Sequence, residues 1–488
     1  MPGDRQAVGE RLGGALRAAG PLLFLGLAFF LTLLLTRSYV VQSDEGYTLN
    51  AAWQLWNGMK MYDDFRLFVG PGSGYAIYLL WHLVGSPSFL AARLLSLAFS
   101  FSATTAITLT LREIGVRGTG LVFAVAIWLS ASSLYVLLNH NSFSTFAATW
   151  FLLLFLRIAR QPDEGSGDKH RMRDHVLVGV AAGTVFLFLQ TKGLLLASAA
   201  TAFVFLVGFK KRDFRPTLAL MGGFLAVIAP LFAIWKPSVL VREWFLVPLT
   251  GNYLGHTGAS TGIAVASLAL TCGMGWMAMR RGDRLLQALA VTQAALVASM
   301  THNMELHHLA INIFPAIVFA AAVVNDRLTR DGRTTNLSSE IAMAIVVAMY
   351  GLFCIATPVG ADFFRSSTLY VDLLGRESRV LFSSPRIAEA HAIYAGPFLP
   401  GLYFQLDKKN PYFVSETIVC NLECQQRLVG QLSTTKPELA FLQYEMARHM
   451  GYDENSPVDV YLREHYTLCT GHYYGGIIVR ASETRWCP

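Results

Sequence analysis

Long stretches without a single Asp, Glu, Lys or Arg recur along this chain, and they decide what it can fold into. They cover Pro21–Thr36, Gly118–Leu156, Val176–Thr191, Gly193–Phe209, Pro216–Trp235, Ser260–Met279, Leu285–Met304, Leu306–Asn325 and Ile341–Ala361. A helix rising about 1.5 Å per residue crosses a hydrocarbon core of ~30 Å in roughly 20 residues, so each run can span a bilayer and the longest can span it twice. Of 488 residues, 53% are hydrophobic and only 15% charged, against roughly a quarter charged in soluble domains. A disordered chain, a nucleic-acid-binding domain and an ordinary cytosolic enzyme are thereby excluded. The formal charge of +7 is explained by Lys and Arg flanking membrane helices and calls for no acidic partner.

The runs place transmembrane helices near 21–38, 89–111, 118–138, 142–158, 175–190, 193–209, 216–235, 260–279, 285–300, 308–324 and 340–357. Arg5, Arg11 and Arg17 precede the first, which puts the N-terminus in the cytoplasm. Alternation from there gives cytoplasmic segments holding 20 of the 39 Lys and Arg, and about eleven spans leave the C-terminus outside. The expected fold is mainly α: a polytopic membrane domain over 1–360 and a small extracytoplasmic α/β domain over 361–488, in the plasma (inner) membrane. The first outward loop, 39–88, is one of two large outward regions. The tail is the other. It carries apolar runs at Arg379–Phe382, Thr417–Val419 and Gly476–Val479, and helical patterns at Cys424–Leu432 and Leu439–Met450.

Cys272 and Cys354 fall in spans, whereas Cys420, Cys424, Cys469 and Cys487 fall in the tail. Four cysteines in a modest domain outside the membrane suggest two disulfides, with three pairings open. Cys420–Cys424 and Cys469–Cys487 are favoured. A zinc site is the rival reading, but the spacing is not that of a zinc ribbon.

The first outward loop concentrates the chemistry. Asp44 and Glu45 follow the first span within a few residues, and adjacent carboxylates are costly beside lipid unless solvated or paired. Tyr47–Asn57 places Leu49, Trp53 and Trp56 on one helical face, and Gly58 is a plausible stop. Such a helix should lie flat in the membrane interface. Asp63 and Asp64 form a second acidic pair, which either binds substrate or is neutralised by Lys60 and Arg66. Gly70–Gly74 is a turn, and Tyr75–Val84 reads as a second interfacial helix carrying Tyr75, Tyr78 and Trp81.

This succession is a span, Asp-Glu-Gly-Tyr, a Trp-bearing helix, Tyr-Asp-Asp-Phe, Gly-Pro-Gly and a Tyr-rich helix. It resembles the first outward loop of GT-C glycosyltransferases, closest to the bacterial group similar to protein O-mannosyltransferases and lipid A aminoarabinose transferases (glycosyltransferase families 39 and 83). Ala91–Ser96, Gln190-Thr191-Lys192-Gly193, His307-His308-Leu309 and Tyr394–Phe404 with Asn410-Pro411 resemble further stretches of that group, in order along most of the chain. The resemblance implies a hexosyl- or pentosyltransferase that takes a sugar from a polyprenyl-phosphate donor. The acceptor would be a hydroxyl of a cell-envelope glycan, lipid or protein, on the outer face and with inversion. It implies Asp44 as the general base, with Glu45 orienting it, binding the acceptor or holding a metal. Tyr47 and Tyr75 would line the substrate site. A transporter or flippase for a lipid-linked sugar is the alternative; it is disfavoured because most spans are charge-free and no internal symmetry is visible.

A leaving phosphate gains charge and needs cations. Lys192 lies in a very short outward turn, where an ammonium is hard to explain except as phosphate binding or snorkelling to the interface. Arg93 and Arg242 are further candidates. Val239–His256 is either a mobile lid over the donor entrance or a fixed connector. Asn139 and His140 occupy an outward turn where relatives carry a second carboxylate, which this chain lacks; His140 with Glu45 could ligate a divalent metal ion. His302, Glu305, His307 and His308 cluster in another outward turn and could hydrogen-bond substrate or hold a metal.

Overall fold

A computed structural model describes residues 44–116, 118–133, 138–160, 168–247, 258–301, 306–330, 384–444, 447–448, 451–470 and 478–487. The anticipated spans at 21–38 and 340–357, and the run Arg379–Phe382, lie outside the described residues. Two short helices come first, α1 (Asp44–Trp56) and α2 (Gly72–Val84). The long helices follow: α3 (Phe89–Glu113), α4 (Gly118–Ser133), α5 (His140–Arg160), α6 (Asp168–Phe188), α7 (Gln190–Lys211) and α8 (Arg215–Ile234). After the short α9 (Pro237–Val241) and a π-helical turn (Arg242–Leu246) come α10 (Gly258–Arg281) and α11 (Arg284–Ser299). Among the described residues five helices are long and apolar enough to cross a membrane, and the chain is a multi-pass membrane protein.

Local sequence sets the helix ends. Ser88 caps α3 by accepting from the Ala91 N–H, and Asp283 caps α11 by accepting from Leu285 and Leu286. Only Leu189 separates α6 from α7. The hairpin is that sharp because Gly193 presses its backbone on Phe186; a Cβ there would lie 2.2 Å from the Phe186 nitrogen. The span anticipated at 308–324 is two helices, α12 (Leu306–Asn312) and α13 (Phe314–Arg330), broken where Pro315 supplies no N–H. Buried Gln293 repairs the break. Its amide donates to the Asn312 carbonyl (3.3 Å) and its oxygen accepts from the Ala316 N–H (3.2 Å).

The tail contributes α14 (Pro385–Glu389), β1 (Ile393–Gly396), α15 (Gly401–Gln405), α16 (Leu422–Thr435), β2 (Leu439–Leu442), α17 (Pro457–His465), β3 (Thr467–Thr470) and β4 (Ile478–Ala481). The strands form one sheet in the order β1-β2-β4-β3, with β1 parallel to β2 and the other pairs antiparallel. Both favoured disulfides are present, Cys420–Cys424 and Cys469–Cys487. The helix anticipated at Cys424–Leu432 is α16. The helix anticipated at Leu439–Met450 is divided: Leu439–Leu442 is strand β2, whereas Ala447 and Arg448 are helical. Leu439, Ala440, Phe441 and Leu442 are all buried in the sheet interior, and a short unbroken apolar run fits a strand buried on both faces as well as a helix. Thr417–Val419 is a 3₁₀ turn rather than an extended run, and Gly476–Val479 overlaps β4.

Helix α1 departs most from expectation. It does not lie open at an interface: every side chain from Glu45 to Leu55 is buried. The tail domain covers the face that reads as polar. Asn50 donates to the Ser415 hydroxyl (2.6 Å), the Trp53 indole donates to the Lys408 carbonyl (2.8 Å), and Gln54 donates to the Asn410 and Tyr412 carbonyls. Gly46 permits the approach, since a Cβ there would stand 2.5 Å from the Gly401 nitrogen. Helix α2 keeps the anticipated two-faced character, with Trp81 buried and Leu79, Leu83 and Val84 exposed.

Candidate active site

Polar side chains gather at one end of the helical domain, where α1, the α4–α5 and α6–α7 turns and α12 meet. Lys192, in the first turn of α7, is 1% exposed. Its Nζ donates to the Thr145 hydroxyl (2.8 Å) and the Asn141 carbonyl (3.4 Å). Among the described residues, these neutral oxygens are its only polar contacts. A buried ammonium without an anion is unfavourable by several kcal/mol or more in a low-dielectric interior, so the position suits an anionic ligand.

Around it the contacts run on without a gap. Thr145 donates to Asn312 Oδ1 (3.3 Å), and Asn312 donates to the His308 carbonyl (2.8 Å). The Asn141 amide meets His308 Nε2 at 3.4 Å and His140 Nε2 at 3.2 Å. Asn139, fully buried, accepts from the Asn141 N–H (2.6 Å) and shapes the turn. His140 lies edge-on to Tyr47, 6.1 Å between ring centres, one turn along α1 from Asp44. The Tyr47 hydroxyl accepts from the Phe68 N–H (3.0 Å). Gln190 closes the circuit by donating to the Phe68 carbonyl (2.8 Å) and the Trp244 carbonyl (2.9 Å).

Asp44 opens α1; its side chain, and that of His307, lie outside the described residues, as do His302 and Glu305. Glu45 and Arg93 are both buried and form an ion pair at 2.6 Å, with the guanidinium also over the Phe89 ring. That pairing gives Arg93 a definite partner within the protein. Asp63 and Asp64 are exposed, and the Asp64 carboxylate accepts from the Lys60 N–H (2.7 Å), closing a local turn. Arg66 turns away from them to Glu243, 3.2 Å distant. Arg242 is half exposed and stands 3.8 Å from Glu243. Tyr75 is half buried against Tyr78 and Trp235. The described part of the 239–256 segment is tied down, because the Trp244 indole donates to the Tyr62 hydroxyl (2.6 Å). Among the described residues no three His, Cys, Asp or Glu side chains converge as a metal site.

Thr145, Asn312 and Gln293 do not stand out in the sequence, and Glu243 does so only as part of Val239–His256. A signal did exist: Thr145 is four residues from Asn141, and Asn312 four from His308, so each extends the polar face of a helix by one turn.

No protein-family model matches the chain, and no curated protein matches its sequence. Solved structures do match. ArnT from Cupriavidus metallidurans in the apo state superposes with a TM-score of 0.61 at 14% identity, over 97% of this chain and 99% of that one. The same protein bound to undecaprenyl phosphate gives 0.60 at 16% identity, over 96% and 99%. The archaeal oligosaccharyltransferase AglB from Archaeoglobus fulgidus, in complex with an inhibitory peptide and a dolichol-phosphate, gives 0.53 at 14% identity, over 97% of this chain and 75% of that one. The chain has the GT-C fold. The described polar cluster joins the first loop to the Lys192 turn.

Proposed function

We propose that this protein is a glycosyltransferase that moves a sugar from a polyprenyl-phosphate donor to an acceptor hydroxyl at the outer membrane face. Buried Lys192, meeting only neutral oxygens among the described residues, carries the reading. A lipid phosphate reaching this depth would supply the missing anion. Structures of the same fold point the same way, one bound to undecaprenyl phosphate and one to a dolichol-phosphate.

In the proposed reaction the acceptor oxygen attacks the anomeric carbon while the bond from that carbon to the phosphate oxygen breaks. The acceptor proton passes to the Asp44 carboxylate, and polyprenyl phosphate leaves with the bonding electrons. One displacement inverts the anomeric centre. A positioned base contributes roughly 10²–10⁴-fold, and Lys192 stabilises the charge gathering on the phosphate. His140, Asn141 and His308, in contact with one another beside Lys192, would hydrogen-bond the sugar. The Glu45–Arg93 pair holds the start of α1, and with it Asp44, against α3.

The test uses full-length protein in nanodiscs with sugar-charged polyprenyl phosphate extracted from the native membrane. Wild type should transfer sugar to endogenous acceptor, and Asp44→Ala should lose at least 100-fold in rate while retaining its melting temperature. Undiminished transfer by a folded Asp44→Ala variant would refute the assignment.

A further inference from the structure

Beside the Lys192 turn lies a cavity of about 250 Å³ whose wall is drawn from the first loop (Arg66, Phe68), the π-helical turn (Arg242, Glu243) and the tail domain (Asn421, Glu423). We infer that this cavity is the acceptor subsite and that it takes a neutral carbohydrate residue. The inference rests on the glycosyltransferase reading above and names its acceptor class.

Glu243 carries the argument. It is 1% exposed, and neither carboxylate oxygen accepts a hydrogen bond among the described residues. Arg66 and Arg242 neutralise its charge from 3.2 and 3.8 Å without directing a donor along its lone pairs. A carboxylate has about four acceptor sites, and leaving them empty in a buried position costs about 1–3 kcal/mol or more. A ligand rich in O–H donors would fill them, while the neighbouring guanidiniums donate to its ring and hydroxyl oxygens.

Charge narrows the class. Arg66, Arg242 and Arg427 act on Glu243, and Glu423 faces Arg66, so cations and anions nearly balance. An anionic group entering the cavity meets the buried Glu243, and a cationic group meets the arginines. A neutral polyol meets neither penalty. The volume falls below the roughly 300–1,000 Å³ of drug-sized sites, which fits a single sugar residue at the end of a glycan.

Position joins the cavity to the chemistry. Phe68 forms part of its wall, and Gln190 binds the Phe68 carbonyl two residues before Lys192. Gln190 also holds the Trp244 carbonyl, next to Glu243. Gln190 thus links the wall of the cavity to the turn that carries Lys192.

Saturation-transfer NMR on full-length protein in nanodiscs tests this, with neutral mannose, galactose and arabinose trisaccharides, a uronic acid disaccharide and a Ser/Thr peptide as probes. At least one neutral trisaccharide should bind, and Glu243→Gln and Arg66→Gln should each weaken it tenfold or more. Undecaprenyl phosphate affinity should stay within twofold in both variants. Melting temperatures identify any variant that fails to fold, and the other then gives the reading. Binding of the peptide or the uronic acid alone, binding of no probe, or trisaccharide affinity unchanged in a folded variant would overturn the acceptor class. Failure of wild type to bind undecaprenyl phosphate would instead strike the donor reading on which it rests.

Discussion

Two buried charged sites in this protein are built on opposite principles. Glu45 and Arg93 neutralise one another at 2.6 Å, with the guanidinium covered by Phe89. Lys192, equally buried, meets a hydroxyl and a carbonyl among the described residues. The first arrangement is balanced in charge within the protein and ties α1 to α3. The second has no counter-charge among the described residues, and an ammonium held that way is suited to a ligand of opposite sign. Burial alone does not separate scaffold from site; the sign and number of partners do.

The comparison can be broken by removing one charge at a time. Arg93→Met leaves the Glu45 carboxylate buried beside lost cation, which should destabilise the protein by about 3–5 kcal/mol. Reversible denaturation in mixed micelles measures it, and a loss below about 1 kcal/mol would show that the pair is solvated rather than structural. Gly46→Ala tests the contact that presses the tail domain onto α1 next to that pair. Its Cβ would meet the Gly401 backbone at 2.5 Å, so overpacking should cost about 1–3 kcal/mol. The matching readout is faster hydrogen exchange in both α1 and α15.

Asp459 in the tail is an intermediate case. It is 2% exposed and accepts hydrogen bonds from the hydroxyls of Ser456, Tyr444 and Tyr452. Burial raises its pKa above the ordinary aspartate value of 3.8, and those hydrogen bonds pull it only part of the way back. The folded state therefore binds its proton more firmly than the unfolded state. Stability conferred by that proton is present below about pH 4 and declines as pH rises through the raised value. Hydrogen exchange in α17, corrected for intrinsic rates, should show this decline in wild type and lose it in Asp459→Asn. An identical pH dependence in the variant would assign the effect to another group.

The smallest expected effect on stability belongs to Lys192→Met. It removes an ammonium with no charged partner among the described residues and keeps the aliphatic stem. The melting temperature of ligand-free protein should hold or rise. A fall comparable to that of Arg93→Met would place Lys192 in the scaffold class.

Much of this was legible in sequence, and the exceptions have physical causes. Charge-free runs located the long helices, because a bilayer leaves few other ways to satisfy a backbone. The break between α12 and α13 was not visible as such, since hydropathy does not register the Gln293 side chain that makes it tolerable. Helices α1 and α2 read alike as interfacial. Only α2 keeps an exposed apolar face, because Asn50, Trp53 and Gln54 of α1 find their partners more than 350 residues away in the tail. The partners of Glu243 are hidden in the sequence for a similar reason. Its neighbour Arg66 is distant in sequence, and an acid within a connector carries no periodicity.

Native mass spectrometry of lipid retained by the purified full-length protein tests the central claim most directly. The wild-type protein should carry polyprenyl phosphate, and Lys192→Met, folded and of unchanged melting temperature, should bind added undecaprenyl phosphate at least about 30-fold more weakly, equivalent to roughly 2 kcal/mol for a lost charge pair. Equal affinity in the two proteins would contradict the account, because the buried ammonium would then have no part in holding the donor.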